Sequence, residues 1–306
     1  MLLGNMGGCG SSGDSVAEMI RRAQPELPSE ARWWREERHP TVAPSFLLKT
    51  LFERQSAYQR VVIAQHDVVG RLLILDGILQ VTEADSTVSE EMMAHVPLIG
   101  AEHPARRVLV IGGGDGCVAR EVLKHPSVQR VTMVELDEVV VEACRAWMPN
   151  ITCDYDDPRM ELVIDDAAQY VKQAPSGCFD AVLCDSPHSI GPAEVLFSHE
   201  FYADVQRLLT PHGAAVFQSG VPFFQADRTA TVVAQLRTLF PQVTVYQAAV
   251  PTFYGGSTAL VLASNSLRGF DRPREPFVCS FYNPDVHAAA FALPTWWRRD
   301  ILGHIA

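Results

Sequence analysis

The chain has 306 residues, of which 47% are hydrophobic and 20% charged, with 36 Asp and Glu against 25 Lys and Arg for a formal net charge of −11. That composition belongs to a globular protein with a sizeable core and excludes a disordered or fibrous chain. The acidic balance, without basic clusters, argues against nucleic acid and suits a small cationic partner.

Residues 1–28 are Gly/Ser-rich and then mixed polar as far as Pro25 and Pro28, which predicts a flexible leader. The runs 59–64, 71–75 and 78–82 are short, β-rich and punctuated by Gly70 and Gly77, the pattern of a small antiparallel sheet. Apolar residues at helical spacing over 89–98 follow, and together these segments predict an N-terminal β domain with a linker helix over 29–100. From 101 to 306 the rhythm is β/α. Strands are expected at 108–111, 131–135, 161–164, 181–184, 214–217 and 243–246, with helices at 117–124 and 138–147 between the first of them. Continuous apolar strands alternating with helices indicate a mostly parallel sheet covered on both faces.

Seven scattered cysteines form no C-x-x-C pair and no Cys/His cluster at metal-ligand spacing, so free thiols and no metal are expected. No apolar run reaches the roughly 18 residues of a membrane span, and the opening lacks a secretory signal pattern. A cytoplasmic protein without a membrane partner is the expectation.

Gly112-Gly113-Gly114-Asp115-Gly116 follows a strand and opens a helix. Gly112, Gly114 and Gly116 lack Cβ atoms at that turn, which lets backbone approach a ligand or merely closes a β-α corner. Glu135, at the end of the next strand, decides for a ligand, because a carboxylate there can accept hydrogen bonds from both ribose hydroxyls. Asp115 within the loop disfavours a pyrophosphate, which would meet a negative charge where its phosphates must sit. Asp166 and Ala167 end the third strand, where an acidic side chain either reaches an adenine amino group or caps the following helix. The coherent ligand is a sulfonium nucleoside, AdoMet or its decarboxylated form.

With Arg120-Glu121-Val122-Leu123-Lys124-His125, Val134-Glu135-Leu136-Asp137, Ser56-Ala57-Tyr58-Gln59, Leu75-Asp76-Gly77, Glu91-Met92, Gly191-Pro192-Ala193-Glu194 and Val250-Pro251-Thr252, the glycine run resembles the spermidine synthase (polyamine aminopropyltransferase) family from about Trp33 to Leu302. The resemblance implies an α/β fold: a methyltransferase-like Rossmann domain with a small N-terminal antiparallel β domain, usually in a homodimer or homotetramer. It implies decarboxylated AdoMet as co-substrate, no tightly bound cofactor, and an amine acceptor such as putrescine. It places Gln59, Gln80, Asp115, Glu135, Asp166, Ala167 and Pro192 at donor positions and Asp185 at the proton acceptor. Such a base is chemically required, because an ammonium has no lone pair with which to attack.

The departures gather on the acceptor side. The family pattern D-S-[ST]-D-P-[IV]-G-P is here Asp185-Ser186-Pro187-His188-Ser189-Ile190-Gly191-Pro192, so His188 replaces an aspartate. D-E-F-x-Y-[HQ]-E-M has become Asp85-Ser86-Thr87-Val88-Ser89-Glu90-Glu91-Met92, with Ser89 for tyrosine and Glu90 gained. V-P-T-Y-P-S-G is Val250-Pro251-Thr252-Phe253-Tyr254-Gly255-Gly256. Ser89, Glu90, His188, Phe253 and Tyr254 are therefore expected at the acceptor, with Glu36 of the W-x-x-E segment at its far end. His188 reads equally as an altered acceptor contact, a second base or a loop residue. Intact AdoMet for methyl or alkyl transfer, and a binding protein without turnover, are the alternatives.

Overall fold

In the strand Arg60–His66 (β3), Val61 and Ile63 point to one side and Val62 and Ala64 to the other, and none is more than 9% exposed. A strand buried on both faces belongs inside its sheet. β3 is accordingly the middle of a five-stranded antiparallel sheet, β1-β2-β3-β4-β5, with Arg32–Arg35 (β1), Ser45–Gln55 (β2), Gly70–Leu75 (β4) and Ile78–Thr82 (β5). The computed structural model describes residues 30–36, 42–186, 191–267 and 269–303, with backbone alone at 191–193. The expected leader, 1–28, and His188 lie outside the described residues.

A second sheet runs β11-β12-β10-β9-β6-β7-β8. Its strands are Arg107–Gly112 (β6), Arg130–Glu135 (β7), Met160–Ile164 (β8), Phe179–Asp185 (β9), Leu209–Gln218 (β10), Gln242–Ala248 (β11) and Thr258–Ser264 (β12). From β10 to β8 the pairing is parallel, while β12 enters antiparallel between β10 and β11. Each β/α strand named from the sequence is present; β1, β2 and β12 are additional.

The helices are Val88–Gly100 (α1), Cys117–Leu123 (α2), Glu138–Trp147 (α3), Ala167–Gln173 (α4), His199–Leu208 (α5), Pro222–Arg237 (α6), Pro284–Ala290 (α7) and Thr295–Asp300 (α8). Every residue of α1 is buried, and its apolar side chains join the core with β6, β9, β10 and β12. The helix expected as a linker thus packs within the second unit. Glu91 anchors it, accepting the backbone N–H of Ser280, Phe281 and Tyr282 at 3.1, 2.8 and 2.7 Å. A buried carboxylate held by several amides ties two distant segments together.

The two sheets meet through α3. Val61, Ile63, Leu73 and Val81 pack on Val140, Ala143, Cys144 and Met148, which sets the small sheet over one edge of the large one. The six described cysteines form no disulfide. Among the described residues no helix is long and apolar enough to cross a membrane.

Candidate active site

Four neighbouring strands end on candidate site residues. Gly112 closes β6, Glu135 β7, Asp185 β9 and Gln218 β10, and the register pairs Gly112 with Asp185 and Phe217 with Cys184. Parallel strands in this register deliver their last side chains to one edge, where ligands of open α/β sheets bind. A pocket of about 360 Å³ lies there, within the range of small-molecule sites.

Its floor is the glycine loop with Asp115, Glu135, Asp166, Ala167, Asp185 and Gln218, and its roof is Gln59, Leu73, Leu75, Ile78 and Gln80 from the small sheet. Glu90 of α1 closes one side. No Lys, Arg or His is among the described lining residues. The cavity is acidic, and its apolar walls strengthen whatever electrostatic contact a ligand makes.

Two glycines explain the turn. Gly113 has φ +67°, and a Cβ there would stand 3.2 Å from Asp185 Oδ2. A Cβ on Gly114 would come within 2.9 Å of both Cγ and Oε2 of Glu135. Side chains at either position would push the carboxylates out of place. Glu135 is held instead by the Gly114 N–H at 3.1 Å and the Asp137 N–H at 2.9 Å, leaving lone pairs free for further donors. Burial raises its pKa to about 7 against the backbone amides of Asp137 and Leu136, which lower it.

Asp115 accepts from the Cys117 N–H at 2.8 Å, and burial lifts its pKa above the ordinary carboxylate value. Asp185 is pushed up to about 8, first by burial and then by the charges of Asp115 and Glu135. Burial also raises Glu90 well above its usual range, with Asp185 and Asp115 adding to the effect. Like charges in a dry pocket cannot all ionise without a counter-cation.

Asp166 does cap its helix, accepting from the Ala168 and Gln169 N–H groups at 2.8 and 3.3 Å, and lines the pocket as well. Gln59 donates to Asp137 Oδ2 at 3.1 Å and Gln80 to the Ile78 carbonyl at 2.9 Å. Ser89 is buried beside the pocket, its hydroxyl donating to Glu90 Oε2 at 3.0 Å. The other acceptor-side expectations stand outside the lining: Glu36 is buried and accepts from the Leu79 N–H at 3.3 Å, Phe253 packs on the core around α1, and Tyr254 stacks on Phe224. Pro192 lies in the 3-10 helix Gly191–Phe197.

The sequence reading passed over Gln218, the apolar walls Leu73, Leu75, Ile78, Val140, Val195 and Leu196, and Ser186. Gln218 follows an apolar strand run just as Asp185 does, so the strand-end rule that found one was available for the other. Elsewhere, Glu91, His95 and Cys279 bring possible metal-ligand atoms within 4.8 Å of one another, as do exposed Glu102, His103 and His212. Glu91 is committed to backbone amides and His95 to His125 and Glu121, and none of the six lines the pocket.

Comparison with known proteins agrees with this geometry. Residues 86–271 match the spermine/spermidine synthase domain and residues 32–83 the spermidine synthase tetramerisation domain. A polyamine aminopropyltransferase of Pectobacterium carotovorum is 41% identical over 279 residues, 88% of this chain and 96% of that protein. One from Escherichia coli O157:H7 is 40% identical over the same length, with 88% and 96% covered. Among solved structures, spermidine synthase in complex with the transition-state analogue AdoDATO superposes with TM-score 0.85 at 30% identity, covering 93% of this chain and all (100%) of that one. The Thermotoga maritima spermidine synthase gives 0.82 at 30% identity, with the same 93% and 100% coverage. From the glycine turn to the strand-end carboxylates and across both sheets, the chain belongs to the spermine/spermidine synthase family.

Proposed function

We propose that this chain moves an aminopropyl group from decarboxylated AdoMet to an amine such as putrescine and releases methylthioadenosine. The observation that carries the reading is a pocket walled by carboxylates, with no cationic side chain among its described lining residues. The adenosine lies across Gly112, Gly114 and Ala167, with its ribose hydroxyls on Glu135, its adenine toward Asp166, and Gln59 and Gln80 above. The sulfonium tail reaches toward Asp115 and Asp185. An α-carboxylate on that tail would meet like charge, a penalty of about 1 to 4 kcal/mol for unit charges near 4 Å at effective dielectrics of 80 to 20. Intact AdoMet is disfavoured accordingly.

Asp185 performs the proton step. In the free site it holds a proton at neutral pH, because burial and its acidic neighbours keep its pKa near 8. Cations of the bound donor favour its ionised form, so the donor prepares the base before the acceptor reacts. The acceptor ammonium gives a proton to Asp185, and the freed lone pair attacks the methylene carbon beside sulfur. A C–N bond forms as the C–S pair returns to sulfur, leaving a neutral thioether. The apolar wall of Leu73, Leu75 and Ile78 keeps water from competing.

The divergent positions Ser89, Glu90, His188, Phe253 and Tyr254 mark the acceptor side as altered relative to the family pattern, and Glu36 is assigned to the acceptor's far end. The proposed division is 29–100 for the N-terminal unit, whose linker helix inserts into the core of the other, and 101–306 for the catalytic one, after the leader at 1–28. The chain carries the family's tetramerisation segment at 32–83, which supports a homodimer or homotetramer. A cytoplasmic location goes with the scattered cysteines and the small-molecule substrates.

Incubating the protein with decarboxylated AdoMet, AdoMet and a mixed amine panel, and reading products by mass spectrometry, tests the reading. Aminopropylated amine with stoichiometric methylthioadenosine is expected. A methylated amine with S-adenosylhomocysteine, or donor binding without any product, overturns it.

A further inference from the structure

The end of the large sheet opposite the pocket brings three metal-ligating side chains together. Glu102 and His103 stand in the segment between α1 and β6, and His212 in the first half of β10. All three are exposed, and a carboxylate oxygen of Glu102 and a ring nitrogen of each histidine lie within 4.8 Å of one another. The two imidazoles meet edge to face, their centroids 4.6 Å apart at an interplanar angle of 64°. Ligand spacing along the sequence does not reach such a group, because Glu102-His103 and His212 belong to segments far apart in the chain.

The backbone that carries each ligand is fixed. Before Glu102, the Ala101 N–H closes α1 by donating to the Pro97 carbonyl at 3.1 Å; after His103, the Arg106 and Arg107 N–H groups both donate to Asp180 Oδ2 at 2.9 Å. His212 lies where β10 slips its register against β9, between Leu209 and Ala214, and a bulge of this kind re-aims a side chain. On either side of it, Asn265 Nδ2 donates to the Thr210 carbonyl at 3.2 Å and the Ser264 hydroxyl to the Gly213 carbonyl at 2.9 Å. Anchored backbones leave only side-chain rotations to be lost when the ligands close on an ion.

Two imidazoles with one carboxylate suit Zn²⁺ and its borderline neighbours Ni²⁺ and Cu²⁺, whereas Mg²⁺ and Ca²⁺ take all-oxygen sets. We propose that Glu102, His103 and His212 bind one divalent ion of the zinc class, with water completing its coordination, and that the ion staples the segment after α1 to β10. From His212 to Gln218 the strand covers about 20 Å at roughly 3.3 Å per residue. The ion therefore acts on stability and takes no part in group transfer, so the inference stands apart from the aminopropyl-transfer reading.

Calorimetric titration of the chelator-stripped full chain with ZnCl₂, beside the His103→Ala/His212→Ala double variant, tests the site. Zinc taken up by cysteines or by the pocket carboxylates is common to both proteins, so their difference is the isotherm of this site alone. One Zn²⁺ per chain is expected in that difference, with Kd below about 10 μM, and Glu102→Gln should weaken it at least about tenfold. Saturating Zn²⁺ should raise the melting temperature of the wild type at least about 2 °C more than that of the double variant. Without metal the two should melt within about 1 °C of each other, since exposed side chains contribute little to folding. Coincident isotherms, an equal difference when MgCl₂ replaces ZnCl₂, or a zinc-dependent melting shift that survives in the double variant overturns the proposal.

Discussion

Donor binding should expel protons from the pocket, and the structure sets how many. Asp185, near pKa 8, is about 0.9 protonated at pH 7, and Glu135, near pKa 7, about half protonated. A dicationic nucleoside whose sulfonium and ammonium face these groups, and whose ribose hydroxyls donate to Glu135, selects both ionised forms. At least about one proton should therefore leave per site at pH 7, with Glu90, whose pKa burial also raises, adding to the count. The sign follows: affinity for decarboxylated AdoMet tightens as pH rises from 6 to 8, by up to about tenfold per unit for each proton released, and levels off above the higher pKa. Calorimetry at pH 7 in buffers of different ionisation enthalpy reads the proton count as a slope. A slope near zero, or net proton uptake, refutes the electrostatic description of the pocket.

Without ligand the same groups make stability depend on pH. Their folded pKa values lie above the unfolded ones near 4, so their contribution is fully present below pH 4 and is lost as pH rises through 7 to 8. Thermal melts of the free protein should show Asp185→Asn gaining at least about 1.4 kcal/mol relative to wild type between pH 5 and pH 8, the equivalent of one pKa unit; a gain independent of pH argues against a buried, unpaired Asp185. Gly114→Ala places a methyl 2.9 Å from Glu135 Cγ and Oε2 and should weaken donor binding at least about tenfold by displacing the ribose acceptor, whereas a change under twofold would remove Glu135 from that role.

Much of this was legible in the sequence because the physics is local. The runs 108–111, 131–135 and 181–184 are continuous apolar strands whose following residues, Gly112, Glu135 and Asp185, fall at the carboxyl edge of a parallel sheet. All three line one pocket. β2 was hidden by the bulge between Thr50 and Phe52, which breaks its alternation partway along. β12 is apolar at nearly every position because it is buried between β10 and β11, and such a run carries no period to distinguish strand from helix. Its antiparallel direction depends on a long excursion through α6 and β11 that no local pattern encodes.

The acceptor side was least legible. Glu36, Phe253 and Tyr254 occupy segments whose positions depend on packing between distant parts of the chain, as when Asp85 receives the Thr252 N–H and hydroxyl at 2.9 and 2.7 Å. Motif spacing gives their order along the chain but not which way each side chain turns. Glu90 was legible as a departure from a pattern; its place beside Asp185 and Asp115 became visible only once α1 was docked under the large sheet.

The central claim is that Asp185 takes the acceptor's proton. Rapid-quench measurement of aminopropyl transfer at saturating donor, comparing wild type with Asp185→Asn, tests it most directly. The transfer rate should fall at least about 100-fold, as for removal of a general base, with donor affinity within a few-fold of wild type. A variant that transfers at near wild-type rate contradicts it.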